Sequence, residues 1–375
     1  MFRRFQQVIE CLACAAHTQT DNRHRPKMSS FISSIAVVFA IASSASAQNR
    51  NPKTFPELAS YLGGDREQVL FEGAKSEAKV NWYTSLSGGS YKALATAFEA
   101  KYPGITVEVY RAPGADLALR MTQEAQARRN IADALETTQD TLLSLREARL
   151  LEAFNSPYIR QYPAQAQAKA DKGLVFWVIA RESYVGVAYN TKIISPAAVP
   201  QNFAGLLNPA LKGQLAVGTG GTGARVIGAM LKVKDEGFVR KLKEQDIRLY
   251  NTGSVGLLDQ LATGEIGASP VIFQTNALET AEKGAPVGWV PMELVPVNAG
   301  SAVIAAKPPH PHAALLMVDF ILGPDGQKIL EKFKYGSASK DYGFKRWYPE
   351  AGLTNERYER ELSKWEKLMQ SIVRK

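Results

Sequence analysis

Short apolar strands alternate with amphipathic helices over most of the chain, and this alternation restricts the fold more than any other feature of the sequence. The segment Val80–Ser85 has the composition of a short strand, and the apolar residues of YKALATAFEAKYPG then recur at helical spacing up to Pro103-Gly104, a pair that ends helices. Strands that alternate with helices usually pair in parallel and are covered on both faces. The sequence therefore predicts an α/β fold.

The same order of elements occurs in two sets. The first set contains the predicted strands Val80–Ser85, Ile105–Tyr110 and Ala132–Thr137, and the second contains strands within QLAVGTG, DIRLYNTG and IGASPVIF. Two extended, β-rich segments, Arg181–Ser195 and Pro296–Lys307, are candidates for chain crossings. We therefore expect two α/β lobes with parallel-rich sheets, joined by two crossing strands that act as a hinge.

The first 47 residues have the pattern of an export signal rather than of a folded domain. Basic residues precede an apolar core from about Phe31 to Ala42, and the small residues SSASA place the cleavage site after Ala47. Met28 is a candidate for the true start. We expect a periplasmic protein, and its predicted parts are a signal segment at 1–47, a first lobe at 48–186, a second lobe at 187–298, and a return to the first lobe with C-terminal helices at 299–375.

Charge and cysteine content exclude several classes of partner and chemistry. Cleavage after Ala47 would remove both cysteines, Cys11 and Cys14, so neither a disulfide nor a zinc–cysteine site is expected in the exported chain. The chain has a formal net charge of +9, but its basic residues are spread along the sequence rather than grouped in a stripe. A nucleic-acid partner is therefore not expected.

A glycine-rich stretch, AVGTGGTGARVIGAM, forms a predicted strand-to-helix turn around Gly218, Gly220, Gly221 and Gly223. The Walker phosphate loop requires Lys and then Ser/Thr after its last glycine, whereas Ala224 and Arg225 follow here. The spacing fits the dinucleotide pattern G-x-G-x-x-G, but no acidic residue lies about 20 positions further on to bind a ribose. An enzyme that uses a nucleotide stays an alternative hypothesis. Backbone amides at the start of a helix nevertheless favour an anion or polar group.

Small polar loops follow five further predicted strands. They are SLSGGS (Ser85–Ser90), RAPG (Arg111–Gly114), TTQD (Thr137–Asp140), NTGS (Asn251–Ser254) and IFQTN (Ile272–Asn276). Because the carboxyl ends of parallel strands line the ligand crevice of an open sheet, we expect a binding cleft there. The predicted ligand-binding residues are Ser85, Ser87, Gly88, Arg111, Thr138, Gln139, Tyr184, Thr219, Thr222, Gly223, Arg225, Thr252, Gln274 and Thr275. Of these, Tyr184 is expected at or beside the hinge, next to Gly186.

The residue types needed for catalysis are scarce in the predicted exported chain. Its two histidines, His310 and His312, lie in KPPHPHAAL, a proline-rich helix entry far from the strand ends, and are expected to cap a surface helix. Ser–His and Cys–His arrangements are therefore excluded. Asp140 is expected to cap its own helix. The sequence predicts no catalytic residue, no cofactor and no metal site, and hence a binding protein rather than an enzyme.

The chain resembles the extracellular solute-binding proteins of ABC importers, most closely the branch that includes the ferric-ion-binding proteins. The segments that carry the resemblance are VNWYTSLSGGSYKALATAFEAKYPGITVEV, IADALETTQDTLLSLREARLLEAF, SYVGVAYNT, NPALKGQLAVGTGGTGARVIGAML and VGLLDQLATGEIGA, within about residues 79–335. The resemblance implies a two-lobed periplasmic-binding-protein fold of type II. It also implies a monomer whose lobes close on a small-molecule solute and which then docks on the ABC permease subunits in the membrane.

The iron binders of this branch hold ferric ion through adjacent tyrosines together with histidine and glutamate. The tyrosine pair aligns with Gln274 and Thr275 here, and SLSGGS contains no histidine. Arg111 and Arg225 instead favour a small anionic organic solute, because guanidinium pairs bidentately with carboxylate or phosphonate. Ferric ion, or another metal, stays the alternative cargo.

Overall fold

The structure is a computed structural model that describes residues 52–374. The predicted export signal, its cleavage site and both cysteines lie outside the described residues. The α-helices are α1 Phe55–Ser60, α2 Arg66–Glu77, α3 Ser90–Lys101, α4 Gly114–Gln126, α5 Gln139–Glu147, α6 Gly221–Val233, α7 Glu236–Lys241, α8 Ser254–Thr263, α9 Gln274–Glu282, α10 Pro311–Leu322, α11 Pro324–Lys332 and α12 Asn355–Ile372. The strands are β1 Lys79–Thr84, β2 Thr106–Arg111, β3 Ala134–Thr138, β4 Leu151–Glu152, β5 Gln167–Lys169, β6 Val175–Asn190, β7 Ala216–Gly218, β8 Ile247–Tyr250, β9 Ala268–Phe273, β10 Val287–Val290, β11 Val295–Ala305, β12 Arg346–Trp347 and β13 Val373–Arg374.

The first lobe is built on a mixed sheet with the strand order β2-β1-β3-β11-β6. Strand β1 pairs in parallel with β2 and β3, and β11 runs antiparallel to both β3 and β6. Almost every residue of β1 is buried, as expected for a parallel strand that is covered on both faces. The three strands predicted for this lobe are all present, each within two residues of its predicted bounds.

Strand β6 belongs to both lobes. Up to Tyr184 it pairs with β11 of the first sheet, and from Val185 onwards it pairs antiparallel with β9 and β10. The chain therefore crosses between the sheets within one uninterrupted strand, inside the predicted segment Arg181–Ser195. Strand β11, within the second predicted segment, carries the chain back along β6, and its first residues pair with β12.

The second lobe repeats the strand–loop–helix order. Helices α6, α8 and α9 follow β7, β8 and β9 directly. Strands β7 and β8 are parallel, and a parallel bridge between Leu215 and Ala268 joins them to β9. Parallel pairing places the carboxyl ends of β7 and β8 at one edge, where the loops that begin α6 and α8 start.

The first lobe's core is closed by α10. Ten consecutive residues of this helix, Ala313 to Leu322, are buried, because the helix lies between the first sheet and α2. A helix that is apolar on all sides is typical of such an enclosed position. Helix α11 packs on α3 and β6 and completes this lobe.

The last helix corrects one prediction from the sequence. The sequence predicts that residues 299–375 return to the first lobe, and α10 and α11 do so. The prediction is wrong for the end of the chain. Helix α12 packs along α6, and β13 pairs with β8 of the second lobe. The buried side of α12 includes Trp365, Leu368 and Met369, and it fits α6 because α6 presents small residues such as Gly228 beneath Trp365. Across the described part of the chain, no helix has the length and apolar character needed to cross a membrane.

Candidate ligand-binding site

A cavity of about 830 Å³ lies where strands of both lobes end. The loops of the first lobe contribute Ser85, Ser87, Gly88, Gly89, Ser90, Pro113, Gly114 and Thr138. The second lobe contributes Thr222, Thr252, Gly253, Ser254, Val255, Gly256, Phe273, Thr275, Asn276 and Glu279. The crossing strands and the segment after α11 contribute Arg181, Ser183, Asn298, Phe333 and Tyr335. The volume is in the range of pockets that hold small organic molecules.

Six helices begin at the wall of this cavity: α3, α4, α5, α6, α8 and α9. None of the six has a side-chain hydrogen bond from its N-cap residue, but in α5 the Oδ1 of Asp140 accepts from the N–H of Thr141 in the first turn at 2.8 Å. Among helices that begin elsewhere, α7 and α12 are capped by the side chains of Asp235 and Thr354, whereas α2 and α11 also lack a side-chain cap. Because uncapped first-turn N–H groups carry partial positive charge, the backbone gives this cavity a positive potential.

Arg181 supplies the guanidinium of the cavity. It lies on β6 with only 5% of its surface exposed, and its Nε donates to Glu136 Oε1 at 2.9 Å. Glu136 is completely buried and also accepts a hydrogen bond from Thr84 Oγ1 at 3.0 Å. The ring of Tyr335 lies 5.2 Å from Arg181 Cζ. Within residues 52–374 no hydrogen bond engages the two terminal nitrogens of Arg181, so they are free to bind a solute.

Gly300 permits the close approach of Arg181 and Glu136. It is paired with Arg181 in the register of β11 and β6, next to an irregularity of that register. A Cβ on Gly300 would overlap Glu136 Oε1 and lie 2.6 Å from Arg181 Cζ. The pair therefore requires glycine at this position.

Half of the ligand-binding residues predicted from the sequence lie in the wall of the cavity. They are Ser85, Ser87, Gly88, Thr138, Thr222, Thr252 and Thr275. All are small residues at a strand end or at the start of the helix that follows it, which is where the rule for parallel sheets places a ligand. The other seven, which do not line the cavity, are Arg111, Gln139, Tyr184, Thr219, Gly223, Arg225 and Gln274.

Arg225 is bound to other protein groups instead of facing the cavity. Its Nη2 lies 3.1 Å from Asp140 Oδ2 and 3.5 Å from Glu350 Oε1, and its Nε donates to the hydroxyl of Tyr358 at 3.0 Å. The sequence predicts Asp140 as the N-cap of its helix; Thr138 occupies that position instead, while Asp140 Oδ1 accepts from the N–H of Thr141 in the first turn at 2.8 Å. Burial raises the pKa of Glu350 to about 7.

Three other predicted residues also have protein partners. Arg111 is exposed, and its Nε donates to the carbonyl of Leu86 at 3.0 Å. Tyr184 is buried where β6 crosses between the sheets, and its hydroxyl donates to Glu182 Oε2 at 2.6 Å. Thr219 Oγ1 donates to Asn251 Oδ1 at 3.4 Å.

The glycine-rich loop packs against the protein's own chain. Gly220 has a φ of +105°, a conformation that favours glycine, and Gly223 leaves no room for a side chain beside Met369 of α12. Only Thr222 of this loop reaches the cavity. Gln139, the first residue of α5, is buried, whereas Gln274, the first residue of α9, is half-buried next to the lining residue Phe273.

Sequence reasoning missed the cavity residues that do not lie in strand-end loops, namely Arg181, Ser183, Asn298, Glu279 and Tyr335. One signal pointed to two of them. Within VFWVIARESYVGVAYN, the consecutive polar residues Arg181, Glu182 and Ser183 interrupt a mostly apolar run, and three polar residues in a buried strand require partners or a ligand.

The two histidines among residues 52–374 lie in the first lobe, away from the cavity wall. His310 occupies the N-cap position of α10, with its Nδ1 2.8 Å from Asp133 Oδ2. The Nδ1 of His312 lies 2.7 Å from Glu77 Oε1. Each ring is thus hydrogen-bonded to a carboxylate of its own lobe.

The chemistry of the lining does not match a ferric ion held by protein side chains. Such an ion requires several anionic oxygen donors, and the lining offers one carboxylate, Glu279, and one phenol, Tyr335. No group of three or more His, Cys, Asp and Glu residues is arranged to hold a metal ion in the part of the chain that the structure describes.

Known proteins share the fold. Iron-bound HitA from Pseudomonas aeruginosa is 23% identical over 79% of this chain and 99% of its own, with a TM-score of 0.61. FutA from Trichodesmium, in complex with iron and citrate, is 17% identical over 78% of this chain and 99% of its own, with a TM-score of 0.63. AfuA from Actinobacillus pleuropneumoniae, with bound fructose-6-phosphate, is 22% identical over 78% and 98%, with a TM-score of 0.59.

The three similarities establish a shared two-lobed periplasmic-binding-protein fold. No curated protein matches this sequence. The family described as "bacterial extracellular solute-binding protein" matches residues 86–335, a span that covers more than half of the chain and most of the cavity wall. The chain belongs to the family of bacterial extracellular solute-binding proteins.

Proposed function

We propose that this protein is the periplasmic receptor of an ABC importer and that its cargo is a small organic anion bound in the 830 Å³ cavity. Membership of an extracellular solute-binding family and the predicted export signal at residues 1–47 support the location. The protein with its bound solute would then deliver the solute to the permease subunits of the importer.

The observation that carries the choice of an anion is the convergence of six helix N-termini on one cavity, five of them without a side-chain hydrogen bond to the first turn. Each N-terminus stabilises a nearby negative charge by about 0.3–1 kcal/mol in exposed settings, and more where water is partly excluded. The first turns of four of these helices, α3, α6, α8 and α9, contain no acidic residue that would compete with the ligand.

Arg181 adds a fixed position at which an anionic group of the solute can bind. Its Nε is fixed by Glu136 at 2.9 Å, so the planar guanidinium is held in one orientation before a solute arrives. A preorganised guanidinium binds a carboxylate or phosphonate with two parallel hydrogen bonds. A hydrogen bond to a charged group contributes about 1.5–3 kcal/mol.

Closure of the two lobes on the solute completes the proposal. The cavity wall has residues from both lobes, so a solute that contacts both favours the closed state by its differential affinity. The crossing of β6 at Tyr184 and Val185 is the proposed hinge. We retain the proposed division near residues 186 and 298, with α12 assigned to the second lobe.

The experiment is a thermal-shift screen of the protein after bound solute has been stripped by unfolding and refolding. The compounds are carboxylates, phosphonates, sulfonates, amino acids, polyamines and ferric citrate. A ligand at 100 times its Kd adds about 2.7 kcal/mol to the free energy of unfolding. Stabilisation by one anionic class supports the proposal, and stabilisation by polyamines alone would contradict it.

Ferric ion is the alternative cargo, favoured by the fold shared with iron-bound HitA and FutA. The ferric citrate arm of the screen separates the two. If ferric citrate alone stabilises the protein and a visible charge-transfer band appears, the cargo is a metal. If citrate stabilises the protein without iron, the cargo is the organic anion.

A further inference from the structure

Of the residues that the structure describes, Glu279 is the one carboxylate in the wall of the cavity. It lies on α9 and is half-buried. Among the described residues it has neither a hydrogen-bond partner nor an ion-pair partner. Asn276, one helical turn earlier on the same face of α9, also lines the cavity.

Two cations near the cavity are already paired. Arg181 is held by Glu136 at 2.9 Å, and Lys334, beside the lining residues Phe333 and Tyr335, pairs with Glu282 at 2.8 Å. Lys283, four residues after Glu279 at the end of α9, is exposed to solvent. Glu279 therefore forms no ion pair with a basic side chain in the described part of the chain.

A solute that carried only negative charge would be repelled by Glu279. The cavity nevertheless attracts anions through six helix N-termini and through the two terminal nitrogens of Arg181, which Glu136 does not engage, so the wall contains two opposed preferences. Both are satisfied if the solute itself supplies a cation opposite the carboxylate.

We propose that the solute is a zwitterion, namely an organic acid that also carries an amino group. Its carboxylate or phosphonate binds at Arg181 and the helix N-termini, and its ammonium group donates to the carboxylate of Glu279 and to the side-chain oxygen of Asn276. This inference rests on the proposed function and narrows its substrate class.

The test compares matched pairs of compounds by isothermal titration calorimetry. Each pair consists of an ω-amino acid and the acid of the same chain length that lacks the amino group. The pairs cover several chain lengths, and each length is tested both as a carboxylate and as a phosphonate. In the wild-type protein we expect that, in at least one pair, the amino acid binds at least tenfold more tightly than the nitrogen-free acid. Glu279→Gln should reduce this ratio to about one, because the amide attracts an ammonium group far less than a carboxylate does.

The matched control is Asp259→Asn on α8, a helix that also begins at the cavity wall. Asp259 is exposed, lies outside the cavity wall and forms no ion pair within residues 52–374, so its replacement removes one carboxylate charge without freeing a cation and should keep the ratio between paired compounds. Urea unfolding of both variants checks that they fold.

Three results would overturn the inference. If the two members of every pair bind equally, the solute is an anion without an amino group; the proposed function then holds and the zwitterion inference is wrong. If Glu279→Gln weakens both members of a pair by the same factor, Glu279 acts on lobe closure and not on an ammonium group. If no member of any pair binds, the anion receptor falls together with the zwitterion.

Discussion

The guanidinium of Arg225 lies 3.1 Å from the carboxylate of Asp140, and this ion pair joins helix α6 of the second lobe to helix α5 of the first. Glu350 provides a second carboxylate at 3.5 Å. The side chain of Arg225 is 12% exposed and that of Glu350 is 5% exposed, so two members of the cluster are largely shielded from water. Arg225 therefore connects the lobes beside the cavity without facing the solute.

Replacing Arg225 with methionine should destabilise the protein strongly. Arg225→Met keeps an apolar stem but leaves Glu350 buried without its cation, and at pH 8, where Glu350 is ionised in the wild type, breaking a buried ion pair in this way costs about 3–5 kcal/mol. We expect the free energy of unfolding, measured with urea at pH 8, to fall by about 3 kcal/mol or more.

The control for this variant is Arg240→Met. Arg240 forms a pair with Glu236 one turn away, and both side chains are about half exposed. Pairs of this type contribute about 0.3–0.5 kcal/mol, so the control should unfold almost as the wild type does. Equal unfolding curves for the two variants would show that the Arg225 cluster contributes no more than a surface pair.

Glu350 should make stability depend on pH in the neutral range. Burial raises its pKa from the ordinary value near 4.5 to about 7. The folded protein then holds a proton that the unfolded chain has released, so this group's stabilising contribution is complete below about pH 4.5. It is lost as the pH rises through 7. The whole effect is on the order of 3 kcal/mol.

The measurement is the difference in unfolding free energy between wild type and Glu350→Gln from pH 5 to pH 8. Glutamine keeps the shape and does not ionise, so other titrating groups cancel in the difference. We expect the free energy of unfolding of the glutamine variant to increase steadily relative to that of the wild type as the pH rises. A difference that stays constant over this range would contradict the raised pKa.

The sequence predicted the part of the site that depends on local pattern. Ser87, Thr222 and Thr275 were found because a small polar loop after an apolar strand has the same position in any parallel sheet. The sheets themselves followed from hydrophobic periodicity alone.

The partners of the arginines could not be predicted from local pattern. A polar run within an apolar strand singles out Arg181, but the carboxylates that bind Arg181 and Arg225 lie far along the chain: Glu136 is 45 residues from Arg181, and Glu350 comes from the segment before α12. Pairing across such separations is set by the packed fold. The contact of α12 with α6 was missed for the same reason, since an amphipathic helix does not specify which surface it covers.

Arg181 and Arg111 should differ sharply when each is changed to lysine. Arg181→Lys keeps the charge but loses the planar fork that binds an oxyanion bidentately. We expect the affinity for the anionic solute found in the thermal-shift screen to fall by about 10- to 100-fold, the equivalent of one strong charged hydrogen bond.

Arg111→Lys is the comparison because Arg111 ends β2 outside the cavity wall. Its affinity for the same solute should change by less than about threefold, within the range of ordinary surface substitutions. Titration calorimetry measures both variants. A larger loss at Arg111 than at Arg181 would return Arg111 to the site predicted from the sequence.

Gly300→Ala tests the geometry that fixes Arg181. The added methyl would overlap Glu136 Oε1 and lie 2.6 Å from Arg181 Cζ, so the two side chains must separate or the crossing strands must shift. Overpacking of this kind costs about 1–3 kcal/mol. Because the guanidinium also loses its fixed orientation, we expect the affinity for the solute to fall at least tenfold.

The control is Gly64→Ala, where the new methyl meets no atom within 4 Å and the backbone is not in the left-handed region. It should change the unfolding free energy by no more than about 0.5 kcal/mol and leave the affinity unaltered. If Gly300→Ala binds the solute as tightly as wild type, the orientation imposed by Glu136 does not matter for recognition. If it loses affinity while its unfolding free energy matches that of Gly64→Ala, the close packing of Gly300, Glu136 and Arg181 serves the ligand and not the fold.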